Sequence, residues 1–308
     1  MPKKKNKSFN KDLYFIKLAY EQAKINLGST GINPSVGCII EKNGTVISSG
    51  CTSVNGRPHA EYNALKSRNN FKGSNIYTTL EPCAHKGITP PCVNLILKKN
   101  IQKVFFSTDD TDTRTKKHTK EILKKNNIKY YNNIYKKYGL DFYSYYLNLN
   151  KKNYPLVDAK LAISKDYYTI NKNSKFITNY HSRKRLHLLR SNYNLIISTS
   201  KSINMDNSLL NCRINGLENK SPDILIIDRN LKLKINLDIF RQKIKRKITI
   251  LTTKKNNKIK MLKNKGANII KFKSLNTLND YQKLFKLLKQ IGYSRILCEA
   301  GLLYTNFL

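Results

Sequence analysis

Three potential metal ligands and a neighbouring carboxylate constrain the fold of this chain more than any other feature. They are His59 and Glu61 in the segment His-Ala-Glu, Cys83 directly after a proline, and Cys92. Imidazole nitrogen and cysteine sulfur are ligands that zinc prefers, and three protein ligands leave a fourth position open. A fold that uses these residues must bring separate segments together. The pattern predicts that His59, Cys83 and Cys92 bind Zn²⁺, and that Glu61 lies beside the open position without touching the metal.

The same residues suit hydrolytic deamination. A bound zinc ion lowers the pKa of its water to about 7, and a carboxylate nearby can pass the proton to the ring nitrogen and the departing ammonia. The signature H-x-E followed by P-C-x-x-C is typical of zinc-dependent nucleobase deaminases. This chain keeps the first half, but eight residues, 84–91, separate its two cysteines. Gly87 and Pro90-Pro91 predict a loop there, and Cys92 is predicted to begin a helix.

Chance offers an alternative interpretation of each fragment. A lone His-x-Glu is common, and two cysteines nine positions apart are usually buried apolar residues. The two fragments occur here together, in the order found in deaminases and with proline before the first cysteine. This combination favours the metal site.

Length and composition set further limits. With 308 residues the chain is long enough for two domains, and it lacks the apolar run of about 18 residues that a transmembrane helix needs. Residues 1–10 are basic without the apolar stretch of a secretory signal, which predicts a disordered tail. Six cysteines without a regular pattern favour a reducing, cytoplasmic location. Those outside the metal set are predicted core residues: Cys38, Cys51, Cys212 and Cys298.

The charge of the chain is strongly positive. It has 58 Lys and Arg against 19 Asp and Glu, a net charge of +39, which ordinarily indicates a nucleic-acid partner. The lysines are scattered over the whole length among many Asn, Ile and Tyr residues, all encoded largely by A and T, so a compositional bias is favoured over an adaptive basic surface. We therefore expect no specific nucleic-acid partner. Either interpretation leaves a surface that attracts an anionic phosphate substrate.

Apolar periodicity predicts alternating strands and helices in both halves. In the first half we expect helices at 12–27, 59–67, 92–99 and 116–125, and strands at 36–40, 46–51, 75–80 and 103–107. Asn43-Gly44 predicts the hairpin between the first two strands. A polar stretch at 148–155 marks the domain boundary. The second half is predicted to have strands at 156–163, 194–198, 224–228, 248–252 and 295–298 and helices at 181–190 and 280–289, without a second zinc set or G-x-G-x-x-G.

The chain is similar to the bifunctional riboflavin-biosynthesis deaminase/reductase family over nearly its whole length. In the first half the resemblance rests on Asn-Pro-Ser-Val-Gly at 33–37, on His-Ala-Glu at 59–61, and on TLEPCAHKGITPPC at 79–92. In the second half it is looser, and rests on Lys-Leu-Ala-Ile-Ser at 160–164 with Asp166, on residues 202–213, and on Glu-Ala-Gly at 299–301.

The resemblance implies an α/β architecture with two enzymatic domains. Residues 11–149 would form a zinc deaminase of the cytidine-deaminase-like three-layer α/β/α fold, and residues 150–308 a dihydrofolate-reductase-like α/β domain. The first would deaminate carbon 2 of 2,5-diamino-6-(5-phosphoribosylamino)pyrimidin-4-one, with Zn²⁺ and Glu61. The second would reduce the ribosyl group to a ribityl chain with NADPH. The implied partner is this phosphorylated pyrimidine, with no membrane partner, and a homo-oligomer stays open.

The resemblance also implies further site residues. In the deaminase the implied substrate residues are Asn33, His85 and Asp109. In the reductase, the residues at the substrate would be Ser174, Arg190, Leu210, Arg213 and Glu299, and those at NADPH would be Ile163, Phe176, Ser202, Asp206 and Gly301. Arg190 and Arg213 suit a phosphate because guanidinium is planar and permanently charged. The alternative interpretation is that both are ordinary solvated arginines.

Several positions depart from the family pattern. Ile88 replaces a basic residue of the deaminase loop, and Asp110-Thr111 replaces Pro-Asn. In the reductase half, Tyr167 replaces glycine after Asp166, and Asn207-Ser208 replaces Asp-Pro after Asp206. The sequence ends at residue 308, shortly after the Glu-Ala-Gly segment, so C-terminal strands are expected to be missing and the reductase to be impaired.

Three alternatives stay open beside the bifunctional enzyme. The first is an active deaminase whose second domain is degenerate and serves as scaffold. The second is a tRNA adenosine deaminase, which the basic charge would suit but the long cysteine spacing and the second domain do not. The third is a basic RNA-binding protein with a structural zinc. Structural zinc usually has four protein ligands, and His85 is the nearby candidate for a fourth.

Overall fold

The structure is a computed structural model that describes residues 10–67, 69–147, 154–169, 176–242, 244–301 and 304. The chain divides into two compact units, Met1–Asn150 and Lys151–Leu308. Most of the predicted basic tail, residues 1–9, and most of the predicted boundary, 148–153, lie outside the described residues.

The first unit contains a five-stranded mixed sheet in the order β2-β1-β3-β4-β5. The strands are β1 (Gly37–Lys42), β2 (Thr45–Cys51), β3 (Asn75–Leu80), β4 (Lys103–Thr108) and β5 (Lys129–Tyr131). The first pairings, of β1 with β2 and with β3, are antiparallel, whereas β3, β4 and β5 run parallel. The predicted hairpin is confirmed: Asn43 and Gly44 both have positive φ, 51° and 86°, as a tight hairpin turn requires.

Helices cover both faces of this sheet. They are α1 (Lys11–Ile25), α2 (Ala60–Leu65), α3 (Cys92–Lys98), α4 (His118–Lys125) and α5 (Lys136–Phe142). A Cβ on Gly37 would lie 1.8 Å from the backbone oxygen of Ala19 in α1, and one on Gly50 would lie 2.5 Å from that of Ala60 in α2. Gly50 pairs with Cys38, the neighbour of Gly37, so the two glycines face opposite sides. Thus α1 and α2 pack on opposite faces, and glycine permits both close approaches.

The second unit contains a six-stranded sheet in the order β10-β9-β8-β7-β11-β6, with every pairing parallel. Its strands are β6 (Leu156–Ala159), β7 (Leu195–Thr199), β8 (Asp223–Ile227), β9 (Ile248–Thr252), β10 (Asn268–Lys271) and β11 (Arg295–Cys298). Its helices are α6 (Tyr180–Arg190), α7 (Ser200–Asp206), α8 (Lys258–Asn264) and α9 (Leu278–Gln290). The strand expected at 156–163 is shorter and ends at Ala159.

Alternate residues of the central strands enter two separate cores. Ile196, Ile224 and Ile226 pack on one face with Leu262 of α8. On the other face, Leu195 and Leu225 pack with the helix α9. Burial on both faces explains why these strands are almost continuously apolar in sequence.

Two expectations from the composition concern the burial of the remaining cysteines and the presence of membrane-spanning helices. Cys38, Cys212 and Cys298 are buried as predicted, whereas Cys51 is half-buried. In the described part of the chain, none of the helices combines the length and apolar character needed to cross a bilayer.

Candidate metal centre and candidate reductase site

The three predicted metal ligands converge in the first unit. His59 is the residue before α2, and Cys92 is the first residue of α3, whereas Cys83 follows β3 by three residues. His59 Nδ1 lies 3.5 Å from Cys83 Sγ and 3.5 Å from Cys92 Sγ. Both cysteines are buried. The three ligand atoms all lie within 4.8 Å of one another, so one ion can contact all three.

The geometry fits zinc. With Zn–S bonds of about 2.3 Å and Zn–N bonds of about 2.0 Å, tetrahedral coordination puts sulfur and nitrogen about 3.5 Å apart. The two observed nitrogen–sulfur distances are both 3.5 Å. One imidazole and two sulfurs form a donor set typical of zinc, and among the described residues this group offers three ligands rather than four. Three ligands are typical of a catalytic rather than a structural site.

The two thiols polarise each other. The hydrogen bond from Cys92 lowers the pKa of Cys83 to about 4 against the opposing effect of burial, and the contact with Cys83 raises the pKa of Cys92 well above its ordinary value. The Cys92 backbone N–H also donates to Cys83 Sγ, over 3.3 Å. The pair therefore shares one proton, which zinc binding would displace.

Glu61 lies in the first turn of α2, and only 3% of its surface is exposed. Burial raises the pKa of Glu61 to about 7, although the charge of His59 opposes the shift. A carboxyl group with a pKa near neutral can both accept and return a proton. Glu61 is two residues after His59 at the N-terminal end of α2. Its carboxyl group therefore lies beside the three ligands.

The predicted substrate residues of this unit lie in two loops and at the end of β4. Asn33 packs against Gly56, where a Cβ would approach its Nδ2 to 2.2 Å. His85 Nδ1 is 3.0 Å from Thr115 Oγ1. Asp109 forms an ion pair with Lys120, 3.0 Å away, and accepts a hydrogen bond from Asn132. Their roles toward substrate stay predictions.

Sequence reasoning did not find two buried carboxyl groups next to the metal segment. Asp110 accepts hydrogen bonds from Tyr146 and from the Asp112 N–H, and burial raises its pKa. Glu81 accepts from the Asp110 N–H, and burial raises its pKa to about 7. Glu81 directly follows β3 and Asp110 lies two residues after β4, and a carboxyl group close to the end of a buried strand is the signal in the sequence that could have pointed to them.

Arg57 is a third residue that the sequence pattern left unassigned. It stands two residues before His59, and its Nη1 donates to Thr89 Oγ1 over 2.9 Å. Thr89 lies in the loop between the two cysteines, next to Ile88, whose side chain is exposed. Arg57 therefore ties the turn before the histidine ligand to the loop that carries the sulfur ligands.

Several predicted reductase residues meet at the carboxyl ends of β7 and β11. These two strands are adjacent and parallel, and the Glu299 N–H donates to Ile197 O over 2.9 Å. Ser202 lies in the first turn of α7, where its Oγ is 3.0 Å from that of Thr199. Gly301 has φ +81° and open space where a Cβ would lie. Ligands of open parallel sheets bind beside such strand ends.

Arg190, Arg213 and Glu299 lie close together beside these strand ends. Arg190 and Glu299 form a bidentate ion pair, with distances of 2.7 and 2.9 Å, and their side chains are 9% and 8% exposed. Arg213 is exposed and donates to His187. Leu210 is buried. The next residue in the chain, Asn211, accepts a hydrogen bond from Arg190 through its backbone oxygen.

The other predicted cofactor residues are more dispersed. Ile163 and Phe176 are exposed, and the Phe176 ring centroid lies 4.2 Å from the guanidinium carbon of Arg183. Asp206 ends α7. Ser174 lies outside the described residues. The roles of these residues stay predictions.

Comparisons with known proteins agree with this arrangement. Residues 9–108 match the family described as cytidine and deoxycytidylate deaminase zinc-binding region, and residues 155–306 match the RibD C-terminal domain. Fold and metal set thus define a zinc-site deaminase domain joined to a reductase domain. Both predicted fold classes, cytidine-deaminase-like and dihydrofolate-reductase-like, are confirmed.

Full-length relatives identify the family. The riboflavin biosynthesis protein RibD of Aquifex aeolicus is 29% identical over 293 residues, 94% of this chain and 81% of the relative. A crystal structure of a diaminohydroxyphosphoribosylaminopyrimidine deaminase/5-amino-6-(5-phosphoribosylamino)uracil reductase from Thermotoga maritima superposes with a TM-score of 0.81 at 25% identity, covering 94% of this chain and 81% of that one. RibD of Acinetobacter baumannii gives 0.80 at 27% identity, covering 96% and 82%. The chain belongs to the RibD family of bifunctional deaminase/reductases of riboflavin biosynthesis.

Proposed function

We propose that the first unit hydrolytically deaminates carbon 2 of 2,5-diamino-6-(5-phosphoribosylamino)pyrimidin-4-one. The observation that carries this proposal is the convergence of His59, Cys83 and Cys92 within 4.8 Å, next to the buried Glu61. The substrate comes from the family, since the Thermotoga maritima relative is described as a deaminase of this compound class. The same convergence does not select among substrates, so the substrate requires a direct test.

His59, Cys83 and Cys92 would hold zinc, which lowers the pKa of a water molecule in its open position to about 7. Glu61 would accept the proton of that water on its carboxylate oxygen. It would return that proton to the ring nitrogen, then take the proton of the hydroxyl group added at carbon 2 and give it to the departing amine, which leaves as ammonia. Burial holds the pKa of Glu61 at about 7, so the same side chain can act as base and then as acid near neutral pH.

We propose that the second unit then reduces the ribosyl group to a ribityl chain with NADPH. NADPH would supply a hydride to the opened sugar. Support comes from the match to the RibD C-terminal domain and from the position of Ser202 and Gly301 beside the carboxyl ends of adjacent strands. The open left-handed backbone at Gly301 would let a cofactor approach the chain closely.

One experiment tests both steps. Purified zinc-loaded protein is incubated with the diaminopyrimidinone ribosyl phosphate, with and without NADPH, while ammonia release and NADPH oxidation are followed separately. We expect ammonia release in both samples and NADPH oxidation only after deamination. Ammonia without oxidation would support the deaminase with a degenerate second domain. Neither signal, in protein that retains zinc, would reject both riboflavin activities.

A further inference from the structure

Hydrogen-bonding groups on opposite sides of the ring define the tautomer of His187 in the second unit. His187 lies in the last turn of α6, and its Nδ1 is 2.8 Å from the backbone oxygen of Asn211. Arg213 Nε and Nη2 lie 3.2 and 3.1 Å from Nε2 on the opposite side of the ring. Arg190 Nη1 also lies 3.4 Å from Nδ1, but it donates to the same Asn211 oxygen over the shorter distance of 3.0 Å. A carbonyl oxygen only accepts and a guanidinium only donates, so the shorter contact on each side assigns the proton to Nδ1 and the lone pair to Nε2. His187 is therefore neutral in this arrangement.

The surrounding charges favour the same state. Burial lowers the pKa of His187 from its ordinary value, and the charges of Arg190 and Arg213 lower it further. The Asn211 carbonyl and the Glu299 carboxylate oppose this shift. These groups come from α6 itself, from the loop after α7 and from the end of β11. The net effect keeps the ring neutral at neutral pH.

Arg213 and its neighbour Arg190 differ in whether a carboxylate balances their charge. Glu299 neutralises Arg190 in a buried pair. Within the described ranges, by contrast, none of the ion pairs involves Arg213. Its guanidinium is held by a neutral ring, and the residue is exposed. A guanidinium fixed in this way is preorganised for a phosphate.

Asn211, whose backbone oxygen contacts His187, also has an unsatisfied side-chain atom. The side chain of Asn211 is 7% exposed, and its Oδ1 is buried without a hydrogen-bond partner among the residues that the structure describes. A buried polar atom without a partner costs about 1–3 kcal/mol. A hydroxyl group of a bound sugar phosphate could donate to it.

We propose that His187 is a positioning residue which, as the neutral Nδ1–H tautomer, holds Arg213 to receive the phosphate of the reductase substrate. This inference rests on the proposed reductase function. Protonation at Nε2 would turn the acceptor into a donor and put two positive charges in contact. Arg213 would then leave its position, and the phosphate would bind more weakly.

Substitution of His187 tests the positioning role. In His187→Leu, we expect the KM for 5-amino-6-(5-phosphoribosylamino)uracil, followed by NADPH oxidation, to rise about tenfold with kcat nearly unchanged. In His187→Gln, the KM should stay close to that of the wild type, because an amide oxygen can accept from Arg213. Calorimetry with D-ribose 5-phosphate measures binding without turnover. The Kd should be raised in His187→Leu and close to that of the wild type in His187→Gln. His181→Gln, a histidine substitution in the exposed first turn of the same helix, is the matched control.

The pH profile separates positioning from a merely structural role. Because the pKa of His187 is lowered, the KM of the wild type should stay constant through neutral pH and rise only at acid pH, as His187 is protonated. The substrate phosphate itself titrates near pH 6, so the informative quantity is the difference from His187→Gln. That variant keeps an acceptor that does not titrate, and its KM should rise less at acid pH.

Three results would overturn the proposal, and they can be told apart. If the wild type oxidises NADPH and binds ribose 5-phosphate, but His187→Leu does both with unchanged KM and Kd, the positioning role is wrong and the reductase function stands. If the wild type does neither, the reductase function fails and the proposal fails with it. A drop in thermal midpoint for His187→Leu, without a KM change in the folded fraction, would also contradict the proposal.

Discussion

Substitution of Glu61 and substitution of a metal ligand should have different effects. Glu61→Gln keeps the size of the side chain and leaves His59, Cys83 and Cys92 intact, so we expect unchanged zinc content. It removes the group that we propose moves protons, so ammonia release should fall about 10³-fold or more. Metal analysis and an ammonia assay on the same preparation check both expectations.

Cys83→Ser is the matched comparison for Glu61→Gln. It replaces a thiolate ligand with a weaker hydroxyl donor, so both zinc content and ammonia release should be lost. Loss of zinc in Glu61→Gln itself would show that this carboxylate supports the metal rather than the proton transfer.

Glu41 is a buried carboxylate whose effect is on stability rather than chemistry. Its oxygens accept from Lys11 Nζ over 2.9 Å, from Asn75 Nδ2 over 2.8 Å and from the Gly44 N–H. Burial raises the pKa of Glu41, but these hydrogen bonds outweigh it and leave the pKa lowered. A lowered pKa means that the charged form stabilises the fold above the ordinary value of about 4.3, and that this contribution is lost as the pH falls through the lowered pKa.

We therefore expect Glu41→Gln to lower the free energy of unfolding by about 2 kcal/mol at neutral pH. The difference from the wild type should shrink below about pH 4. Urea denaturation across pH, followed by tyrosine fluorescence, measures it. Glu21→Gln is the control, because the Glu21–Lys24 pair is exposed and should contribute less than about 0.5 kcal/mol. A constant difference down to low pH would contradict the assignment.

At the scale of elements, the seating of α2 on the sheet determines where His59 and Glu61 lie. Gly50 in β2 permits this contact, since a Cβ there would lie 2.5 Å from the backbone oxygen of Ala60 and 2.5 Å from the backbone nitrogen of Ala64. Gly50→Ala should push α2 outward, lower stability by about 1–3 kcal/mol and weaken zinc binding. Thermal denaturation and zinc titration measure the two effects. Ser49→Ala, at the exposed neighbouring position, should leave both nearly unchanged.

Sequence periodicity predicted the elements that are strongly apolar. It missed a strand that forms through its pairing with a neighbouring strand. The strand at 248–252 and the hairpin at Asn43-Gly44 are confirmed, because local turn chemistry and burial on both faces leave a clear pattern. By contrast, β5 is short and half polar, and it exists through its pairing with β4, where Tyr131 stacks on Phe105. No local pattern encodes such a pairing.

The metal ligands could likewise be predicted from the sequence, whereas the contacts among the reductase residues could not. The metal ligands could be predicted because zinc chemistry restricts both residue type and order, and they do converge. The buried pair of Arg190 and Glu299 joins residues 109 positions apart, and its geometry appears only when β11 inserts beside β7. The tautomer of His187 likewise depends on contacts with Asn211 and Arg213 that sequence spacing does not indicate.

At the scale of the whole molecule, each unit has its own sheet, its own core and its own candidate site. The metal ligands all belong to the first unit, and the cluster of Arg190, Arg213 and Glu299 belongs to the second. Since each set is complete within its unit, a substitution in one should leave the chemistry of the other intact. This expectation concerns function and can be measured with the full chain.

Glu61→Gln should lose ammonia release but still oxidise NADPH when it is given the deaminated intermediate. Arg213→Gln should release ammonia normally, while its KM for that intermediate rises about 10- to 100-fold, because a charged hydrogen bond to phosphate is lost. A mixture of the two variants should convert the diaminopyrimidinone to the ribityl product, since the intermediate can diffuse from one protein to the other. If the mixture makes no product although each variant keeps its remaining activity, the intermediate does not leave the chain that forms it. If Glu61→Gln also loses NADPH oxidation, the two chemistries are coupled through the molecule.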